Sequence, residues 1–192
     1  QQTLQDYLSE HEVIGIEGID TRALTKHLRS AGAMRACLSA ELEEDEAIEA
    51  AKASPPMTGS DFVKEVTTSK PFTWEEESRR WTVPKPSHGQ EDHYHPLPEP
   101  LRRIVAYDFG VKYNILRQLR QHGFEVQVVG AGPSAREVLK LDPDGIFLSN
   151  GPGDPEALDY IHAEIRKLIG KKPIFGICLG HQLLALALGA RT

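Results

Sequence analysis

The chain has 192 residues, 40% hydrophobic and 26% charged, which is enough apolar material for one or two packed domains and argues against disorder as a whole. Its 22 basic and 28 acidic residues give a formal charge of −6 without a long lysine or arginine cluster, so nucleic acid is a poor candidate partner. No apolar run approaches the ~20 residues that span a bilayer, and the two distant cysteines, Cys37 and Cys178, fit neither a disulfide framework nor a zinc site and favour a reducing cytoplasm.

The chain starts Gln1-Gln2-Thr3 without a secretory signal and reads as trimmed. Ala23, Leu24, His27, Leu28 and Ala31 predict a helix over 20–32, with Asp20 or Thr21 as N-cap and Gly32 as terminator. A strand is expected over 34–39, a helix rich in glutamate and alanine over 41–53, and one or two helical turns over 61–66. Cys37, on that strand without flanking glycines, is expected to be buried and inert. Eight of the 13 prolines fall between Pro55 and Pro100, and residues 68–100 read as a linker. The expected organisation is therefore part of an α/β domain over 1–67, the linker, and a second domain over 101–192.

Past the linker, strands and helices alternate. Strands are expected over 104–107, 124–129, 145–148 and 173–177, and helices over 114–122, 134–140 with Ser134 as cap, 155–169 and 180–188. Strands without polar alternation, joined by amphipathic helices, imply a parallel sheet covered on both faces. Open sheets of this kind place ligands at the carboxyl ends of their strands.

The loop after the fourth strand reads Gly176-Ile177-Cys178-Leu179-Gly180-His181-Gln182. It is a G-x-C-x-G turn, the sulfur counterpart of the G-x-S-x-G nucleophile elbow. Larger side chains at either glycine are expected to strike neighbouring backbone, because the nucleophile is held in a sparsely populated conformation. The turn sets the sulfur at the positive end of the next helix, which favours a thiolate, and aims the Leu179 amide at an oxyanion. A second donor is expected from Ser149-Asn150-Gly151-Pro152-Gly153-Asp154-Pro155 after the third strand, provided that strands three and four are neighbours. Without further information a lone cysteine after an apolar strand is more often a core residue, and a G-P-G-D-P run is often only a turn.

Taken in order, the segments 148–155 and 175–182 resemble the class I (triad) glutamine amidotransferases. Within them the similarity is greatest to the small, glutamine-hydrolysing subunits of carbamoyl-phosphate synthetases. Residues 105–117, Val-Ala-Tyr-Asp-Phe-Gly-Val-Lys-Tyr-Asn-Ile-Leu-Arg, look like the first strand and helix of that family, and residues 18–25, Gly-Ile-Asp-Thr-Arg-Ala-Leu-Thr, look like its N-terminal domain. The resemblance implies an open parallel, flavodoxin-like sheet of the amidotransferase type, truncated, after part of a smaller α/β N-terminal domain. It implies that Cys178 attacks the carboxamide of L-glutamine to give a thioester and ammonia. Leu179 and Gly151 would form the oxyanion hole, and Gly151, Gly153, Leu179 and Gln182 would bind glutamine. Ammonia would pass to a large synthetase subunit that makes carbamoyl phosphate for arginine and pyrimidine synthesis. ATP and magnesium would belong to that partner, with no cofactor on this chain.

The histidine base and glutamate of the family's triad are expected beyond Thr192, so these residues alone are expected to hydrolyse glutamine poorly or not at all. His181 reads as a structural neighbour. Another triad amidotransferase, a non-catalytic scaffold subunit and a cysteine redox sensor stay open as alternatives. Asp108-Phe109-Gly110 spells a kinase motif without its companions. His88, His93 and His95 sit in proline-rich surroundings that fix no metal geometry, and Gly151-Pro152-Gly153 lacks a P-loop lysine.

Overall fold

The computed structural model describes residues 2–75 and 97–191, in two units that divide between Met57 and Thr58. In the first unit, helix α1 (Leu4–Glu10) starts in a reciprocal cap between Thr3 and Asp6. Helix α2 (Thr21–Ala31) is capped by the Asp20 carboxylate on the Ala23 N–H at 2.9 Å and stops at Gly32. Helix α3 (Glu44–Ala53) begins later than expected. The Ser39 hydroxyl accepts from the N–H groups of Glu41 and Leu42 at 3.0 Å and turns the chain first.

The strand expected over 34–39 does not form. No neighbouring strand pairs with it among the described residues, and Arg35 instead donates to the Lys52 and Ser54 carbonyls. Strands without a partner are not stable on their own. Cys37 is exposed rather than buried, because no described residue of this unit is buried and its apolar residues, Ile14, Leu24, Leu28 and Met34 among them, face outward.

In the second unit, the short helix α4 (Val63–Val66) precedes β1 (Phe72–Thr73), β2 (Arg102–Tyr107), α5 (Tyr113–Gln121), β3 (Phe124–Val129), α6 (Ala135–Lys140), β4 (Gly145–Leu148), a 3-10 turn (Pro155–Ala157), α7 (Asp159–Leu168), β5 (Ile174–Gly176) and α8 (Leu179–Ala187). The sheet order is β1-β3-β2-β4-β5, with β1 antiparallel to β3 and the other pairs parallel. The α/β alternation and the four expected parallel strands are thus present. Leu116 of α5 packs on one face with Ile104, Ala106, Val126, Val128 and Phe147. The residues of α6, α7 and α8 cover the other face, with Val105, Tyr107, Ile146 and Leu148. The strand order reverses between β2 and β4, the place where sheets of this kind set their ligand sites, outside the carboxyl ends of the strands.

Two features fall where a linker or a separate domain was expected. Trp74 is buried against β3, its backbone N–H donating to Val126 O at 2.9 Å, and β1 extends the sheet within the stretch read as linker from residue 68. Val63 is fully buried in the sheet unit's core. The single helix expected over 155–169 is broken at Leu158, which is buried, with the Asp154 carboxylate capping the preceding turn through the Glu156 N–H at 3.0 Å. Residues 76–96, including the histidines at 88, 93 and 95, lie outside the described residues. Among the described residues no helix is long and apolar enough to cross a membrane.

Candidate active site

The register Leu148↔Gly176 brings the ends of β4 and β5 side by side, so the two loops that carry the sequence motifs begin next to each other. Two backbone bonds join them and a third closes the elbow on itself. The Ile177 N–H donates to Leu148 O at 3.0 Å, and the Gly180 N–H donates at 3.0 Å both to Ser149 O and to Ile177 O.

Cys178 stands at the head of α8 with φ 52 and ψ −115, a left-handed-side conformation that costs a non-glycine residue of order 1–3 kcal/mol and persists only where its surroundings enforce it. The enforcement is steric. A Cβ on Gly176 would lie 2.6 Å from the Gly180 backbone, and one on Gly180 would lie 2.2 Å from Leu148 O, so the helix start and the strand end touch backbone to backbone. The turn presents Cys178 to solvent. Leu179, by contrast, is only 1% exposed, with its side chain in the core, so only its backbone can serve a ligand. No side chain caps α8, and the Leu179 N–H has no acceptor among the described residues.

Gly151 approaches this turn from the β4 loop. A Cβ there would sit 2.1 Å from Phe109 O and 2.8 Å from the Leu179 side chain, so it is wedged between the β2 loop and the elbow. Its N–H likewise has no acceptor among the described residues. The Leu179 amide, next to Cys178 in the chain, and the Gly151 amide, on the loop wedged against the Leu179 side chain, are thus both left without an acceptor among the described residues. Gln182 and His181 are exposed on the first turn of α8, and the Gln182 N–H bonds Cys178 O at 3.0 Å. Gly153 is placed differently. It has φ +96, and a Cβ would lie 2.8 Å from Ser60 O, so it meets the chain segment before α4 and sits on the side of the loop facing that segment.

That segment is a strap that sequence reasoning missed. The Gly59 N–H donates to the Asp154 carboxylate at 2.8 Å, and the Asp154 N–H donates to Ser60 O at 3.1 Å. The Tyr160 hydroxyl donates to Asp61 at 3.1 Å, while Lys64 pairs with Asp61 at 3.0 Å. Burial first, and then the bond to Asp61, pushes the Tyr160 phenol up to about 12. At the strap's other end the Thr67 hydroxyl donates to Asp108 O and accepts from the Ala131 N–H, and the Thr68 N–H reaches the Asp108 carboxylate at 2.8 Å. Asp108 also accepts from the N–H groups of Gly110 and Val111 at 2.9 and 2.8 Å. Its kinase-like motif is thus a turn lock. Asn150 braces the same turn, accepting from the Lys112 N–H and donating to Gly110 O. The available signal was the polar residues directly after fully apolar strands, which must find partners when buried.

Residues 105–192 match the glutamine amidotransferase class-I family, and residues 1–38 match the CPSase domain of the carbamoyl-phosphate synthase small chain. The chain is 54% identical over 191 residues to a protein of Akkermansia muciniphila named carbamoyl phosphate synthase small chain, an alignment covering 100% of this chain and 48% of that one. Proteins of the same name from Syntrophotalea carbinolica and Pseudomonas aeruginosa are 49% and 48% identical, covering 99% and 100% of this chain and 49% and 50% of theirs. The chain thus spans about half the length of the curated relatives it matches. Both of its ends carry the family's sequence, the elbow and its partner loop are in place, and the chain belongs to the carbamoyl phosphate synthase small chain family, with a class-I glutamine amidotransferase fold in its second unit.

Proposed function

We propose that this chain supplies the nucleophile and oxyanion hole of a glutaminase that feeds ammonia to a synthetase. Cys178 Sγ attacks the carboxamide carbon of glutamine, and the negative charge on the former carbonyl oxygen is met by the N–H groups of Leu179 and Gly151. The C–N bond breaks, the nitrogen leaves with a proton as ammonia, and water cleaves the thioester to give glutamate and the free thiol. Gly153 and Gln182 complete the glutamine pocket with Gly151 and Leu179. The ammonia goes to a large carbamoyl-phosphate synthetase subunit, in keeping with the small-chain name shared by the relatives, and the ATP and magnesium of that chemistry belong to that partner. A cytoplasmic setting suits a thiol that must stay reduced.

One observation carries the reading: an exposed cysteine held at φ 52 at a helix start, with the Leu179 amide and the Gly151 amide of the adjoining loop both lacking an acceptor among the described residues. Cys178→Ser in the complete small chain, assembled with its synthetase partner, is expected to abolish glutamine-dependent synthesis and to leave synthesis from added ammonia intact. Glutamine-dependent synthesis surviving in Cys178→Ser would favour a docking subunit without catalysis. Loss of both activities would assign the residue to folding or assembly.

A further inference from the structure

We propose that Ser149 is a positioning residue whose buried hydroxyl sets the direction of the Gly151 N–H; this rests on the glutaminase reading above. Ser149 follows the last residue of β4 and is 0% exposed. Its backbone is fixed on both sides: the N–H donates to Tyr107 O at 3.2 Å, and the carbonyl accepts from the Gly180 N–H at 3.0 Å. The hydroxyl is therefore anchored to β2 on one side and to the cysteine elbow on the other.

A serine hydroxyl has one proton to give and two lone pairs to offer. Here Oγ accepts from the Phe109 N–H at 2.8 Å and donates to Asn150 O at 2.7 Å. That carbonyl belongs to the same peptide unit as the Gly151 N–H. Cis peptides are absent among the described residues, and in a planar trans unit the C=O and N–H point in opposite directions. Holding the Asn150 oxygen inward on Ser149 thus turns the Gly151 N–H away from the serine, where it has no acceptor among the described residues.

The alternative orientation is disfavoured by the same inventory. If the 150–151 peptide flipped, the Gly151 N–H would take the second Oγ lone pair, and the hydroxyl proton would lose its acceptor inside a site closed to water. Leaving that bond unmade in a buried site is costly, so the flipped peptide is a minor state. Oxyanion donors act by being oriented before the charge develops. A side chain that never touches glutamine can therefore govern the chemical step while leaving ground-state binding nearly unchanged.

The test uses the complete small chain bound to its synthetase partner, with Ser149→Ala and, as a variant of nearly native shape with a poor donor, Ser149→Cys. Both are expected to lower kcat for glutamine hydrolysis by roughly 10- to 100-fold, short of the 10²–10³ lost when an oxyanion donor is deleted. The KM for glutamine should stay within about threefold of the parent, since a step confined to the transition state moves kcat alone. Ammonia-dependent synthesis and the rate of Cys178 alkylation by iodoacetamide, a displacement that develops no oxyanion, should stay within about twofold; a merely structural role would move them. Should Ser149→Ala fail to fold, Ser149→Cys decides. A kcat within twofold of the parent in the folded variants overturns the proposal, as does a parallel loss of ammonia-dependent synthesis in Ser149→Cys. If Cys178→Ser measured alongside still hydrolyses glutamine, the glutaminase reading itself falls; if it is dead while the Ser149 variants are normal, only the positioning role falls.

Discussion

Replacing Gly180 by alanine tests the contact that creates the elbow. The added Cβ would sit 2.2 Å from Leu148 O, 2.6 Å from its carbonyl carbon and 2.7 Å from its Cβ, and moving the closest pair out to 3.0 Å displaces α8 from the end of β4 by about 0.8 Å. None of the three atoms is the far end of a flexible side chain, so the neighbour cannot swing aside. The displacement stretches the bonds from Gly180 N–H to Ser149 O and from Ile177 N–H to Leu148 O, both 3.0 Å in the parent. Overpacking at about 1–3 kcal/mol and two weakened hydrogen bonds at roughly 1 kcal/mol each add to a loss of about 3–5 kcal/mol. Because Cys178 moves with the helix start, glutamine turnover should fall on the order of 10²-fold, the usual consequence of misplacing a reacting group by an ångström. Urea titration of parent and variant gives the first number, and a steady-state glutaminase assay of the complete enzyme gives the second. Gly132→Ala is the control: a Cβ there meets nothing within 4 Å, and its midpoint should stay within about 0.5 kcal/mol of the parent. A Gly180→Ala protein less than 1 kcal/mol destabilised and fully active would refute the steric account of the elbow.

Three further outcomes follow from the geometry. Cys178→Gly should be more stable than Cys178→Ala by about 1 kcal/mol or more, because glycine relieves the φ 52 conformation while alanine keeps it; thermal unfolding of the two inactive variants reads the difference, and equal midpoints would mean that the backbone is unstrained. Asp108→Ala should cost about 2–4 kcal/mol, since it strands the N–H groups of Thr68, Gly110 and Val111; Asp108→Asn, which keeps one acceptor oxygen, should cost less, and urea titration ranks them. Glu164 is held below its ordinary carboxylate value of 4.5 by the bond from Lys167 and then by the Ala135 N–H it caps. Its stabilisation is therefore present at neutral pH and disappears as pH falls through that lowered value, so the deficit of Glu164→Gln, about 1 kcal/mol at pH 7, should shrink on acidification below the ordinary value of 4.5. A deficit that grows with acidification contradicts the assignment.

Much of the site could be read from residue types because its constraints are local. Gly176 and Gly180 flank Cys178 at fixed spacing, and the clash that each glycine avoids lies within the same turn or on the adjoining strand. Strands β2 to β5 were legible as apolar runs, since a strand buried on both faces needs no alternation. What escaped depends on distant partners. The two residues of β1 have no period of their own and form a strand only by adding to β3, and Trp74 lies in a charged, proline-rich stretch whose burial depends on that pairing. The strap over 58–68 is held by Asp108 and Asp154, residues 40 and more positions away. The strand expected over 34–39 failed for the complementary reason, as local alternation cannot supply a neighbour to pair with. Helix α1, where no element was expected, did carry a signal, the Thr3-x-x-Asp6 cap beside Leu4 and Leu8.

The central claim is that Cys178 is the nucleophile for a glutamine-like substrate, and the chain contains its own comparison, because Cys37 is exposed as well. Mass spectrometry after brief exposure to a glutamine-like alkylating agent should place the adduct on Cys178 alone, with glutamine protecting it, while iodoacetamide labels both cysteines. An adduct on Cys37, or labelling of Cys178 that glutamine does not slow, would contradict the account.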